Sequence, residues 1–358
     1  MMKLKELPRA ADVKVKIIGI GGAGCSSLNR LTDTVSNNVR MLGIDTGSAA
    51  AHLNDGVEAL SIGNGFGSGG NPETAVDLFS EYESRVVDFI DGADVVILLA
   101  GLGRGTGSGL APEIARITRK SGALTIAAVN MPFEFEGRFR NQSAARAHEL
   151  LESSADAVMT MYNDDLLAGG AMAGGAMGGS LNDAFVNADM NIAAAVNAVT
   201  LALESSPERA LSVQDSLTNA GELAVISGAS TGLHAGSKAV VEAFTYTSSE
   251  FVGVRSAVVH VLGGIGLSHG QVADAVDKVR EEIGMSAIIH VSSERLIGMG
   301  QEINVTIVLA GIGGEPSSEK KFTPFIPMQR DMANAQVMSV FDTPVPRRTR
   351  GPVLLPTG

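Results

Sequence analysis

Two glycine-rich segments carry the residue types that cradle an anion. Gly103-Arg104-Gly105-Thr106-Gly107-Ser108-Gly109 follows the apolar run Val95-Val96-Ile97-Leu98-Leu99-Ala100 and precedes the helical pattern Leu110-Ala111-Pro112-Glu113-Ile114-Ala115. A strand that runs through glycines into a helix brings backbone N–H groups close to a phosphate, and the helix dipole favours the negative charge. Thr106 and Ser108 add hydroxyl donors. There is no GxxxxGK(S/T) pattern, so this is not a Walker A loop. Gly21-Gly22-Ala23-Gly24-Cys25 follows a second short apolar strand, Lys14–Ile20. Read with Gly19, it also fits a dinucleotide fingerprint, and Asp45 stands about 20 residues on, where a ribose-binding acid would. These residues leave two classes open, a phosphate-cradling nucleotide binder and an NAD(P)-dependent oxidoreductase.

The elements that must position these loops alternate. Strands are expected at 14–20, 40–44, 94–100, 123–130 and 157–161, and helices at 24–31, 72–90, 110–120 and 141–154. Such alternation predicts an α/β, Rossmann-like parallel sheet with helices on both faces. Both glycine loops then lie at the carboxyl ends of strands, where ligands of such sheets bind. A long central helix is expected from Leu181 to about Leu203, closed by Pro207, with Phe185, Ile192, Val196, Val199 and Leu203 on one buried face. Beyond it, strands near 222–228, 256–262, 286–291 and 302–311, with helices near 235–244 and 269–284, read as a smaller α+β unit. The expected divisions are an arm (1–12), a nucleotide domain (13–180), the central helix (181–206), a loop region (207–220), the α+β domain (221–314) and a disordered tail (315–358). Seven of the twelve prolines fall in the last 45 residues.

At 358 residues the chain can build about two cores, and 45% apolar with 18% charged residues suits a globular cytosolic protein. A net charge of −12 argues against sequence-independent nucleic-acid binding. One cysteine, Cys25, rules out an internal disulfide. No histidine–acid cluster has metal-ligand spacing. The glycine-rich stretch from Leu166 to Leu181 reads as a connector rather than a span, so no direct membrane insertion is expected.

The segments taken in order resemble the FtsZ/tubulin family over residues 14–312. Gly103 to Gly109 resembles its GGGTGTG signature, with Arg104 in place of a glycine and Ser108 in place of a threonine. Gly21, Gly22, Ala23, Gly24 and Cys25 match its first nucleotide loop, and Asp45-Thr46 the second, with Gly47 where an acid is common. Gly65 to Glu73, including Gly69, Gly70 and Asn71, matches the third, the sensor of the terminal phosphate. Pro132 to Arg140 is similar to PFxFEGxxR. The resemblance implies that Glu136 and Arg140 hold the ribose, and that Asn163 touches base or sugar. It also implies that Phe185 stacks on a purine and that Asp189 accepts from the guanine N1–H and N2–H₂ edge. Phe185 and Asp189 are four apart, so they share a helix side. GTP/GDP with Mg²⁺, and head-to-tail assembly of the chain with itself, are the implied cofactors and partner.

Two departures matter. The family's NxDxxD loop presents carboxylates to the next subunit's nucleotide. Here Pro207, Arg209 and Ser212 occupy those three positions, leaving Glu208 and Asp215 as candidate catalytic acids out of register. Hydrolysis is expected to be slow, and a non-hydrolysing GTP-dependent scaffold or regulator of another filament is the alternative. In the tail, Phe341 to Arg348 resembles the short terminal peptide that docks on membrane-tethering adaptors. The resemblance thus implies a cytoplasmic, filament-forming GTP-binding protein of cell division.

Overall fold

The computed structural model describes residues 13–32, 34–36, 38–164, 181–245, 251, 253–312 and 337–339. The expected arm 1–12, the connector at 166–180 and the adaptor-like peptide 341–348 lie outside these residues.

Eleven strands form one sheet. In chain order they are β1 (Val15–Ile20), β2 (Arg40–Asp45), β3 (Val57–Ser61), β4 (Val95–Gly101), β5 (Leu124–Met131), β6 (Ala157–Tyr162), β7 (Gly221–Thr231), β8 (Ser256–Gly263), β9 (Ile288–Leu296), β10 (Glu302–Ala310) and β11 (Val337–Ser339). Their spatial order is β11-β9-β8-β10-β7-β6-β5-β4-β1-β2-β3. From β3 to β7 every neighbouring pair is parallel. β10 runs antiparallel to both β7 and β8, and β9 is parallel to β8.

The helices are α1 (Gly21–Leu31), α2 (Pro72–Phe79), α3 (Glu83–Ile90), α4 (Gly105–Ser121), α5 (Arg138–Ser154), α6 (Leu181–Glu204), α7 (Pro207–Leu217), α8 (Ala235–Thr245) and α9 (His269–Ile283). Leu28 and Leu31 of α1, the apolar side of α6, and Val213 and Leu217 of α7 pack on one face of the sheet. α2 to α5 cover the other face of its parallel half. α8 and α9 cover the corresponding face of the antiparallel half. β1, β4 and β5 are buried almost throughout, as strands covered on both faces must be.

Several expectations are corrected. The helix expected at 72–90 is two helices, because Ser80 and Tyr82 close the first with bonds back to Val76, Asp77 and Phe79. β3 was not expected; only Leu60 in it is buried, so it has little apolar signal. The parallel strands and the α+β unit share one sheet, since β7 pairs with β6 at Ala157–Met159. Pro207 does not merely close α6 but opens α7 at its first position, with the Ser206 side chain capping Arg209 N–H. The stretch expected as a loop at 207–220 is therefore mostly helix. Within the tail expected to be disordered, residues 337–339 form β11, antiparallel to Glu294–Leu296 of β9.

Candidate functional site

Both glycine loops turn out to be the first turns of helices rather than loops ahead of them. α1 begins at Gly21 and α4 at Gly105, one directly after β1 and the other four residues after β4. Gly21 has φ +73°, and a Cβ there would lie 3.3 Å from Gly107 N and from Thr106 Cβ. The N-termini of α1 and α4 therefore meet, and their unpaired N–H groups and dipoles converge at the carboxyl ends of β1 and β4.

The glycines divide into two sets. A Cβ on Gly24 would overlap Leu99 O, one on Gly107 would overlap Gly101 O, and one on Gly109 would overlap Pro72 O. Gly105 lies equally tight against Ser68 and Asn71. These four let α1 and α4 press onto the sheet and onto the 68–72 segment. Gly22, Gly69 and Gly70 have nothing within 4 Å of a built Cβ, so they border open space. The exposed set is the one available to an anion. The Asn71 side chain caps α2 by accepting from Glu73 N–H at 2.8 Å.

The hydroxyls and acids nearby are partly committed. Thr46 and Thr106 share a 2.7 Å hydrogen bond. Ser108 Oγ accepts from Gly103 N–H at 2.7 Å, so it shapes the turn into α4. Asp45 accepts from Ala49 N–H at 3.0 Å. Cys25 does not face the open side: its Sγ packs toward Ile44 O and Gly43, and burial pushes its thiol up to about 12. Arg104 is the N-cap of α4, extended and exposed, with no side-chain partner among the described residues.

At the other end of the site, Glu136 accepts from Phe133 N–H at 3.0 Å and pairs with Arg140. Asp164 anchors the same turn, taking Glu134 N–H on both oxygens. Phe133 is fully buried and meets Phe135 in a stack at 4.9 Å and Phe185 edge-on at 5.3 Å. Phe185 keeps 38% of its surface exposed, which leaves ring area for another planar group. Asp189 accepts from Ser26 Oγ at 2.5 Å and Ser27 Oγ at 3.2 Å, with Arg30 at 3.7 Å. Burial raises its carboxyl above the usual range, opposed by Ser26, Arg30 and Ser27.

Sequence reasoning missed Asn130. It is the penultimate residue of β5, beside Gly101 and Met161. Its Oδ1 and that of Asn163, which follows β6, are buried without a partner among the described residues. Buried acceptors in that state are uncommon and await a donor. The signal in sequence is an amide at the carboxyl end of an otherwise apolar strand.

The candidate catalytic acids stand elsewhere. α6 has 24 residues, about 36 Å of helix. Glu208 and Asp215 are exposed on α7, just beyond its far end from Phe185 and Asp189. They are seven residues apart, so they share a face about 10 Å apart along the axis. Among the described residues no group of three or more His, Cys, Asp or Glu could hold a metal.

Residues 14–169 match the model of the Tubulin/FtsZ family, GTPase domain. This segment is a Tubulin/FtsZ-family GTPase domain. Over 95% of its length the chain is 29% identical to the cell division protein FtsZ of Methanothermobacter thermautotrophicus, covering 91% of that protein. An FtsZ dimer of M. jannaschii superposes with a TM-score of 0.75 at 25% identity, over 84% of this chain and 89% of that one. CetZ2 of Haloferax volcanii, solved as a GTPγS-bound protofilament, shares the fold with a TM-score of 0.66 at 21% identity, over 86% and 95%. The Tubulin/FtsZ fold continues beyond the GTPase domain, since these likenesses extend through α6 and the antiparallel half.

Proposed function

We propose that the chain binds GTP and GDP across the paired N-termini of α1 and α4, assembles head to tail with itself, and hydrolyses GTP slowly. The observation that carries the binding reading is the meeting of two helix N-termini at Gly21 and Thr106–Gly107, bordered by the open Gly22, Gly69 and Gly70. Phosphates rest there, with Arg104 beside them. Glu136 and Arg140 hold the sugar, and Asn130, Asn163, Phe185 and Asp189 border the base. Asp189, an acceptor, suits the two donors of a guanine edge, which adenine lacks. The phosphates would hold Mg²⁺, with the Thr46 and Thr106 hydroxyls at hand, since among the described residues no carboxylate cluster could hold it alone.

Slow hydrolysis follows from the chain's own residues. Acids on α7 lie too far to reach the nucleotide of the same chain, so hydrolysis would need a second copy. At that corner α7 follows α6 after Ser205 and Ser206 alone, and Pro207, Arg209 and Ser212 stand where the family motif has an asparagine and two acids. Water orientation by a carboxylate requires hydrogen-bond reach, which Glu208 and Asp215, seven residues apart on α7, do not provide together. The cellular role we assign is filament formation in cell division or membrane constriction, in the cytoplasm, with adaptor docking through Phe341–Arg348. No helix among the described residues is long and apolar enough to cross a membrane.

The test is competition binding on the purified full chain with GTP, GDP, ATP and NAD(P)H. Guanine nucleotides displacing a labelled GTP while ATP and NAD(P)H do not supports the reading. Preference for NAD(P)H would replace it with the oxidoreductase reading.

A further inference from the structure

A polar seam lies buried where α6 rests on the antiparallel half of the sheet, and Ser216 of α7 reaches it. On β9, His290, Ser292 and Glu294 alternate and so share one face, and His260 of β8 opposes Ser292 in the register. Glu294 faces His260 Nε2 at 3.5 Å and accepts from Asn197 Nδ2 of α6 at 3.4 Å. The other ring nitrogen of His260 bonds Ser292 Oγ at 3.0 Å. His290 bonds Ser216 Oγ of α7 at 3.0 Å. Only 5% of His260, 8% of His290 and 8% of Glu294 is exposed. β10 adds Asn304 and Thr306 and β7 adds Ser227, all buried and uncharged.

The two histidines differ in what they meet on protonation. A charged His260 gains the Glu294 carboxylate. A charged His290 has only the Ser216 hydroxyl, whose oxygen can accept a hydrogen bond from the ring N–H but cannot neutralise the charge, and no ion pair reaches it among the described residues. The charged groups of α7, Glu208, Arg209 and Asp215, point to solvent. We propose that this seam is a proton-sensitive clasp: α7 is held on β9 while His290 is neutral and is released when His290 is protonated, whereas α6 stays tied through Glu294. Burial lowers His290's affinity for a proton. Its folded pKa therefore lies below the ordinary value of about 6.5. The stability this burial reflects is whole above pH of about 6.5 and is lost as pH falls toward the folded value. Since α7 carries Glu208, Arg209 and Asp215, release would move the end of the molecule opposite the nucleotide site. The inference stands whether or not the chain binds GTP.

The experiment is hydrogen–deuterium exchange on the full chain without nucleotide at pH 7.5 and pH 5.5, corrected for intrinsic exchange. The expected result is a loss of protection of up to about tenfold in 207–217 and 288–293 at the lower pH. α8 and α9, on the other face, keep theirs. His290→Asn, which keeps a donor for Ser216 but cannot charge, should abolish the pH response, and His260→Asn should not. If His290→Asn fails to fold, Ser216→Ala serves instead: it removes the bond that docks α7, so protection should already be low at pH 7.5. Equal protection at both pH values in the unmodified chain, a loss shared equally by α8 and α9, a His290→Asn response matching the unmodified chain, or Ser216→Ala unchanged in α7 would overturn the proposal.

Discussion

Asp189 Oδ2 accepts a 2.5 Å hydrogen bond from Ser26 Oγ, joining the central helix α6 to α1. The same carboxylate proposed to read a nucleobase thus also fixes the angle between the helix that faces the phosphates and the helix that faces the base. Replacing it should separate these roles. Asp189→Asn keeps one acceptor for a serine hydroxyl, and its amide NH₂ can donate to the other serine oxygen, so it should fold. It should lower the preference for GTP over ATP by about 100-fold, as expected when a charged hydrogen bond to a ligand is lost. Competition titrations read the change; an unaltered preference would remove Asp189 from the base site.

The two sets of glycines should behave oppositely. Gly107→Ala places a methyl against Gly101 O where neither backbone can yield. It should cost about 1–3 kcal/mol of stability, seen as a lower Tm. Gly22→Ala meets open space and improves helix propensity, so Tm should hold or rise, while GTP affinity falls because the methyl stands in the proposed phosphate path. Equal Tm losses in both variants would contradict this division.

Much of this division is not visible in the sequence. The glycine runs and the apolar strands announce a parallel sheet with a ligand at its carboxyl ends, and that architecture is what the chain adopts. Periodicity could not show that α1 and α4 start inside the glycine runs, because glycine carries no side-chain pattern and tertiary packing overrides its poor propensity. β3 was missed since only Leu60 in it is buried. Ser206-Pro207 read as a stop, although a serine cap followed by proline is equally a start. The partners of Asp189 come from 160 residues away, and no local pattern reports such a contact.

Arg140→Ala should weaken GTP and GDP alike, by about tenfold, without changing the preference for guanine over adenine, because the proposed site has Arg140, paired with Glu136, at the sugar. Isothermal titration with both nucleotides checks it. A selective loss for one base would place Arg140 elsewhere in the site.

Glu208→Ala and Asp215→Ala should each leave the proposed slow GTP turnover unchanged within about twofold, because the proposal gives neither carboxylate a water-orienting role. Single-turnover assays in assembled and unassembled samples read this. If either variant abolishes turnover while GTP binding is kept, that residue is the missing acid.

The most direct measurement is phosphate release from GTP over a range of protein concentrations, with pelleting read in the same samples. The account predicts pelleting that depends on GTP, accompanied by almost no release. Release that appears above a critical concentration and then climbs steeply with assembly would contradict it, and would mean that the α6–α7 corner supplies working catalytic acids.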